Sequence, residues 1–306
     1  MVRWSDDVDE VLRADHVIML AYATPAGGAV LLPVTNFGVL DRERGVVSSV
    51  NTSVGMGTKL ERMRRNPRVA LAFHTRDHSL TDRPEYVLLQ GTASLSEPID
   101  DYPSTILRNW ERFEEWEGQG ALWKRWRRVY GRRVEVELAV ERIVVWPDRS
   151  CAGAPVVEGE PLPAEPPPPQ SAPKKGTGPR LDHHRAARRL AKLPHRVLGW
   201  IGADGYPVMA PVEVRGADDD GILLAAPPGL VPPGGRRAGL SAHWFAEGMI
   251  GQDQRKHTGW LEADAERISY APHTDSSYRF PESELLYRIV SGGGTRWYDW
   301  RARRAG

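Results

Sequence analysis

The stretch Gly45-Val-Val-Ser-Ser-Val-Asn-Thr-Ser-Val-Gly-Met-Gly-Thr-Lys59-Leu-Glu-Arg-Met-Arg-Arg-Asn66-Pro67-Arg-Val-Ala-Leu-Ala-Phe73 decides the fold. Residues 46–50 read as a buried strand, followed by a polar, Gly-rich loop. A short helix over 59–65 begins near a lysine and stops at Asn66-Pro67, because the residue before a proline is pushed out of the helical region. Residues 69–73 form a second buried strand. Small hydroxyl residues, a loop rich in free backbone N–H groups and a lysine at a helix start are what a bound phosphate needs, so an anionic cofactor is the leading reading. Lys59 and the backbone of 55–58 would form the anion site; the local residues alone leave a solvated helix lysine open. Ser48 and Ser49 of a regular strand point to opposite faces, so one can face a ligand while the other cannot, and edge-strand filler is the plain alternative. Pro33, Thr35 and Asn36 end the preceding strand and can approach a flat ring through backbone groups.

Outward from this stretch, Ser5 can cap a helix whose first turn holds Asp6 and Asp7 and whose apolar face is Val8, Val11 and Leu12. Residues 16–22 and 29–35 form two strands joined by the turn Pro25-Ala-Gly-Gly28, a hairpin. Residues 86–95 form a further strand, long enough to bend at Gly91, and 134–145 form the last strand of this half. Between these two, 102–116 and 122–130 look helical. The second of them carries the basic run Lys124-Arg-Trp-Arg-Arg-Val-Tyr-Gly-Arg-Arg133. This run suits an acidic cofactor tail or nucleic acid, or it is a solvated face with its tryptophans packed inward. Short antiparallel strands with helices inserted late indicate a mainly β (α+β) protein built on a small barrel.

The 306 residues suffice for two domains, and the 41% hydrophobic content suffices for a core. A net charge of +1 argues against bulk attraction to nucleic acid or membrane. Cys151 is the single cysteine, so no internal disulfide can form. The N-terminal residues lack a signal-peptide pattern and no apolar run has the length of a membrane span, so a cytoplasmic protein is expected. His74 and His78 lie at the end of a strand and His243, His257 and His273 are scattered, none with metal spacing to cysteine or carboxylate partners, and no metal site is expected. No nucleophile elbow stands out, and Gly55-Met-Gly57 is too short for a dinucleotide fingerprint.

Residues 152–180 contain Pro161-Leu-Pro-Ala-Glu-Pro-Pro-Pro-Pro169, which should stay out of sheets and helices as an extended spacer. The expected organisation is therefore a domain over 1–151, a linker over 152–180 and a domain over 181–306. The second half repeats the order of the first. A helix over 181–193 precedes a strand, a glycine turn and a strand ending Pro211-Val212, as the earlier pair ends Pro33-Val34. Gly221-Ile-Leu-Leu-Ala-Ala-Pro-Pro-Gly229 parallels the strand from Gly45, and Gly259-Trp-Leu-Glu-Ala263 parallels Gly91-Thr-Ala-Ser-Leu95. Chance similarity of two β-rich halves is the alternative.

The first half, through Ser48, Ser49, Asn51, Thr58-Lys59 and Arg65-Asn-Pro-Arg-Val69, resembles the split β-barrel superfamily of pyridoxamine 5'-phosphate oxidases and flavin- or deazaflavin-dependent reductases. The resemblance implies two tandem split barrels, the second degenerate because 225–235 has neither hydroxyl nor lysine. It implies FMN or the deazaflavin coenzyme F-420, one site per chain. The phosphate would be held by Lys59 with Ser48, Ser49, Asn51 and Thr58, and Pro33 and Thr35 would lie near the ring. It also implies hydride exchange with a small organic substrate, with a flavin- or haem-binding protein without turnover as the alternative. In that superfamily barrels pair around the cofactor, so the chain would be an internal pseudo-dimer, and a homodimer remains open. The longer loop between Asn51 and Lys59 departs from the oxidase pattern.

Overall fold

The computed structural model describes residues 2–36, 38–53, 57–97, 133–247, 251–283 and 286. The predicted helices over 102–116 and 122–130, and all of the basic run except Arg133, lie outside the described residues, as does part of the loop before Lys59.

The first half opens with α1 (Asp6–Ala14), whose N-terminus is capped by Ser5 Oγ accepting from the Val8 N–H at 3.3 Å. Its buried face is Val8, Val11 and Leu12, as the spacing predicts. Strands β1 (Val17–Ala23), β2 (Ala29–Thr35), β3 (Val39–Asp41) and β4 (Val46–Ser53) follow, then α2 (Gly57–Arg65). Strands β5 (Arg68–Phe73), β6 (Tyr86–Leu95), β7 (Arg133–Trp146) and β8 (Val156–Gly159) complete this half. The second half holds α3 (His183–Leu190), β9 (His195–Ile201), β10 (Pro207–Pro211), β11 (Glu213–Asp218) and β12 (Gly221–Ala225). It closes with β13 (Arg236–Phe245), β14 (Gln252–Ala263), β15 (Ile268–Asp275) and β16 (Tyr278–Phe280). Asp182 caps α3 by accepting from the Arg185 N–H at 2.8 Å.

Each half forms one eight-stranded antiparallel sheet. The first runs β2-β1-β5-β6-β7-β4-β3 with β8 added on β7; the second runs β10-β9-β13-β14-β15-β12-β11 with β16 added on β14. Adding eight to each strand number on the first path gives the second, so the halves are tandem copies of one mainly β split-barrel topology and not two unrelated β segments. Register agrees as well. Pro33 lies opposite Met19 and Pro211 opposite Val197. The pairing slips by a bulge at Gln90/Gly91 in β6 and at Thr258/Gly259 in β14. Both bulges need glycine: a Cβ on Gly91 would sit 2.0 Å from the Ala139 carbonyl oxygen, and one on Gly259 2.1 Å from that of Ala271.

The first barrel closes over Leu12, Ile18, Leu20, Val47, Leu60 and Met63, the last two from α2. The second closes over Leu190, Leu198, Ile222, Leu240, Leu261 and Tyr270. A third core joins the halves, with Met19, Leu31, Ala72 and Leu88 against Val197 and Met209. Polar contacts cross the same seam. Tyr86 Oη donates to the Met209 carbonyl at 3.0 Å, Gln90 Nε2 donates to the Pro207 carbonyl at 2.7 Å, and Arg142 pairs with Asp204 at 2.6 Å. The two sheets are thus packed as one body.

The segment after Cys151 differs from the expected spacer. Residues 156–159, which precede the prolines, pair with β7 as β8, an edge position open to any proline-free stretch. Farther on, Gln170 donates to the Gly27 carbonyl (2.9 Å) of the first half and accepts from the Arg237 N–H (3.0 Å) of the second. Residues 152–180 therefore lie strapped across both halves and are not a free connector. Strands β3, β8, β11, β13, β15 and β16 have no counterpart in the sequence-based reading; β3, β8 and β16, of three or four residues, are too short for alternation to mark them.

Candidate functional site

Lys59 lies in the first turn of α2 and is only 6% exposed. Leu60 and Met63 turn α2 onto the first core, and Lys59 sits one helical turn from Met63 on that face. A lysine is almost never this deeply buried without compensating partners, and Lys59 is not without them. The first turn of α2 carries no acidic residue, which leaves the positive end of the helix dipole unneutralised by its own side chains. At Gly57, which begins the helix, a Cβ would meet none of the described residues within 4 Å. Thr58, beside it, is exposed.

The other predicted residues come from β4 and β2. Thr35 ends β2, and only three residues separate it from Val39 of β3, which lies opposite Ser48. This short connection brings Pro33 and Thr35 to the same part of the barrel as Ser48. Pro33 is buried, while Thr35 and Ser48 are half-buried. The regular alternation expected at Ser48 and Ser49 is broken, because the β4–β7 register shifts between Val47 and Val50. A bulge re-aims side chains and is frequent beside binding sites. For Ser49 and Asn51 the strand backbone is described; their side chains lie outside the described part.

The second half shows what became of the equivalent place. Its β12 ends at Ala225 and the chain leaves through Ala226-Pro227-Pro228-Gly229, without a helix or lysine. A cleft of about 480 Å³ opens there between the halves. Pro211, Glu213 and Ala226 line it from the second half, and His74, Thr75 and Arg149 from the first. By the shared register Pro211 and Glu213 occupy the places of Pro33 and Thr35, so the cleft is the counterpart of the predicted site. Arg149, Arg196 and Arg215 line it, with Arg215 paired to Glu213 of the same cleft. They are drawn from three distant segments, which is why no sequence motif announced them.

Three histidines meet beside this cleft. His74, His195 and His243 have ring centroids 5.2 to 5.9 Å apart. Ile18 pairs with Phe73 and Arg196 with Ala242, so His74 and His243 are register equivalents facing each other across the two halves. Burial pushes His74 down to about 3, reinforced by the neighbouring His195, although its Nδ1 lies 3.2 Å from the Ala72 carbonyl. Burial, then His74 and His195, likewise hold His243 well below the usual histidine range. The bond to His195 lowers Asp77, so that pair ties the halves together at the rim. The sequence reading put His74 at a strand end, left His243 as scattered and did not connect either with His195. Their common register in β5 and β13 is the signal that could have joined them. Among the described residues no group of His, Cys, Asp and Glu side chains is arranged to hold a metal ion.

Nearby, Asp15 is fully buried and receives the Arg76 N–H at 2.9 Å and its guanidinium at 2.7 Å. Burial raises the Asp15 carboxyl while Arg76 opposes the rise. Arg76 itself adopts φ 58°, a left-handed conformation that its bonds to Asp15 and to the Arg83 carbonyl hold in place.

No family model and no curated protein matches the chain. Several solved structures are similar to it. They include a conserved hypothetical protein of Mycobacterium tuberculosis, at 22% identity and TM-score 0.35, over 49% of this chain and 88% of that one. A pyridoxamine 5'-phosphate oxidase-related, FMN binding protein of Nostoc punctiforme aligns at 12% identity and TM-score 0.32, over 47% and 84%. A FAD-binding protein of Mesorhizobium loti aligns at 19% identity and TM-score 0.29, over 52% and 98%. Each covers about half of this chain; the fold assignment rests on the strand order and register given above. No described helix is long and apolar enough to cross a membrane.

Proposed function

We propose that the chain is a flavin-dependent oxidoreductase holding one FMN per chain, its phosphate at the start of α2 and its ring toward the end of β2. The observation that carries this reading is the burial of Lys59 in the first turn of α2, directly downstream of the bulged strand β4. The donor set fits a phosphate: an ammonium, the backbone N–H groups of a helix start, the Thr58 hydroxyl, and Ser48 on the strand. When bound, the flavin would supply hydride transfer, so the protein need provide only position, electrostatics and exclusion of water. Lys59 neutralises and anchors the phosphate. Pro33 and Thr35 shape the wall for the ring, and the second barrel closes the far side through the shared core. A deazaflavin with an acidic tail would use the same residues for its phosphate.

One observation favours a second reading. His74 lines the cleft between the halves with a neutral ring whose Nε2 has no hydrogen-bond partner among the described residues, the form in which histidine ligates haem iron. The absorbance spectrum of the purified protein, followed by cofactor titration, separates the readings. A flavin spectrum that bleaches with reductant and recovers with a small organic oxidant supports the oxidoreductase. A Soret band selects haem, and failure to bind FMN, deazaflavin or haem removes all three.

A further inference from the structure

A separate cavity of about 580 Å³ lies between the halves and shares no lining residue with the cleft at His74. Leu88, Val144 and Trp146 of the first sheet line it, and Trp200 and Val208 of the second. The proline-rich segment 162–167 and the loop 228–233 complete the wall. The size and the apolar, aromatic lining are those of a small-molecule site.

The hydrogen-bond accounting fixes the ligand's chemistry. Arg142 has its charge paired and three of its five N–H groups engaged: Nε donates to the Glu160 carbonyl at 2.9 Å, Nη1 to Gln90 Oε1 at 2.8 Å and Nη2 to Asp204 at 2.6 Å. Gln90 spends its amide group on the Pro207 carbonyl. Asp204 is balanced by Arg142 and also accepts from the Tyr206 N–H at 3.2 Å. The remaining charged lining residue, Glu165, is exposed and acidic. No cation is left over for an anion, and no deep carboxylate for a cation. Seven lining residues are prolines, which carry no N–H, so the wall is rich in backbone carbonyl acceptors. Burial pushes the Cys151 thiol up, so it is protonated and unreactive there.

The covering segment is anchored at both of its ends. Arg142 and the Glu141 carbonyl fix Glu160, and Arg236 donates to the Pro167 carbonyl at 2.9 Å. Leu162, between those anchors, lines the cavity yet stays 41% exposed. An apolar guest would bury it.

We propose that this cavity binds an uncharged aromatic small molecule bearing a hydrogen-bond donor, of the arylamine or phenol class. The probe is N-phenyl-1-naphthylamine, uncharged with one N–H, titrated by fluorescence into the full chain. Anilinonaphthalene sulfonate, which adds an anion to the same rings, is the contrast. The expected result is saturable binding at one probe per chain, at least about tenfold tighter than the sulfonate, and weakened about tenfold by Leu162→Arg with thermal unfolding unchanged. Three results would overturn the proposal: no saturable binding to the folded wild type, equal or tighter binding of the sulfonate, or a Leu162→Arg protein that binds the probe as the wild type does.

Discussion

The two halves share a strand order and a pair of glycine bulges, yet differ at the two places where chemistry would reside. After β4 the chain enters α2 with Lys59 buried in its first turn; after β12 it leaves through Pro227-Pro228-Gly229. The second difference is in the core. The register that sets Met19 against Val197, and Phe73 against Ala242, places Leu193 where the first half has Asp15 and Phe245 where it has Arg76. Leu193 and Phe245 are buried, in separate apolar clusters, so two apolar residues occupy the places of a buried ion pair without change of topology. The difference teaches that β order and bulges specify the barrel, while loops and a few polar core positions specify what a barrel can bind.

The largest effect should come from breaking the polar half of that comparison. Asp15→Ala or Arg76→Ala leaves a charge buried without its partner and should cost about 3–5 kcal/mol in denaturant unfolding. The double change Asp15→Leu with Arg76→Phe copies the second half and should recover much of that loss. A double variant no more stable than the singles would show that the register equivalence has no energetic meaning.

Next in size are the bulges. Gly91→Ala and Gly259→Ala each press a Cβ onto a backbone oxygen and should destabilise by about 1–3 kcal/mol, to similar extents. If urea titration finds one of them silent, the two bulges are not equivalent.

The histidines at the seam give a pH dependence whose sign follows from their depressed values. The folded chain keeps His74 neutral down to about 3, whereas the unfolded chain protonates it near the ordinary 6.5. Its contribution to stability is therefore full above about 6.5 and lost as the pH falls below it, at up to about 1.4 kcal/mol per pH unit. His243 acts in the same direction. Thermal unfolding between pH 7 and 5 should show this loss, and His74→Gln should flatten it; an unchanged slope would place the acid sensitivity elsewhere.

The smallest effect is on binding. Lys59→Ala should weaken FMN about tenfold or more, near 1.4 kcal/mol, whereas Arg196→Ala in the counterpart cleft should leave FMN affinity unchanged. Equal losses in both variants would mean that the cleft at Arg196 takes part in holding FMN.

Much of the barrel was legible because its strands obey local rules. The bounds of β2 and β6 and the cap at Ser5 follow from alternation, turn residues and capping chemistry. The repeat was legible at Pro33/Pro211 and Gly91/Gly259, where backbone geometry restricts the residue. What stayed hidden is what tertiary structure assembles. The three arginines of the second cleft come from positions 149, 196 and 215, and the histidines meet only when two sheets pack. The bulge at Ser48-Ser49 was hidden because the alternation rule assumes an even ladder. The strap over 152–180 was read from its prolines, and its binding through Gln170 depends on surfaces far away in sequence.

The central claim is an asymmetric pair of barrels with one flavin site, built around Lys59. Titrating cofactor-free protein with FMN and reading stoichiometry from flavin fluorescence tests it most directly. The account predicts one FMN per chain; two per chain, or no binding by folded protein, would contradict it.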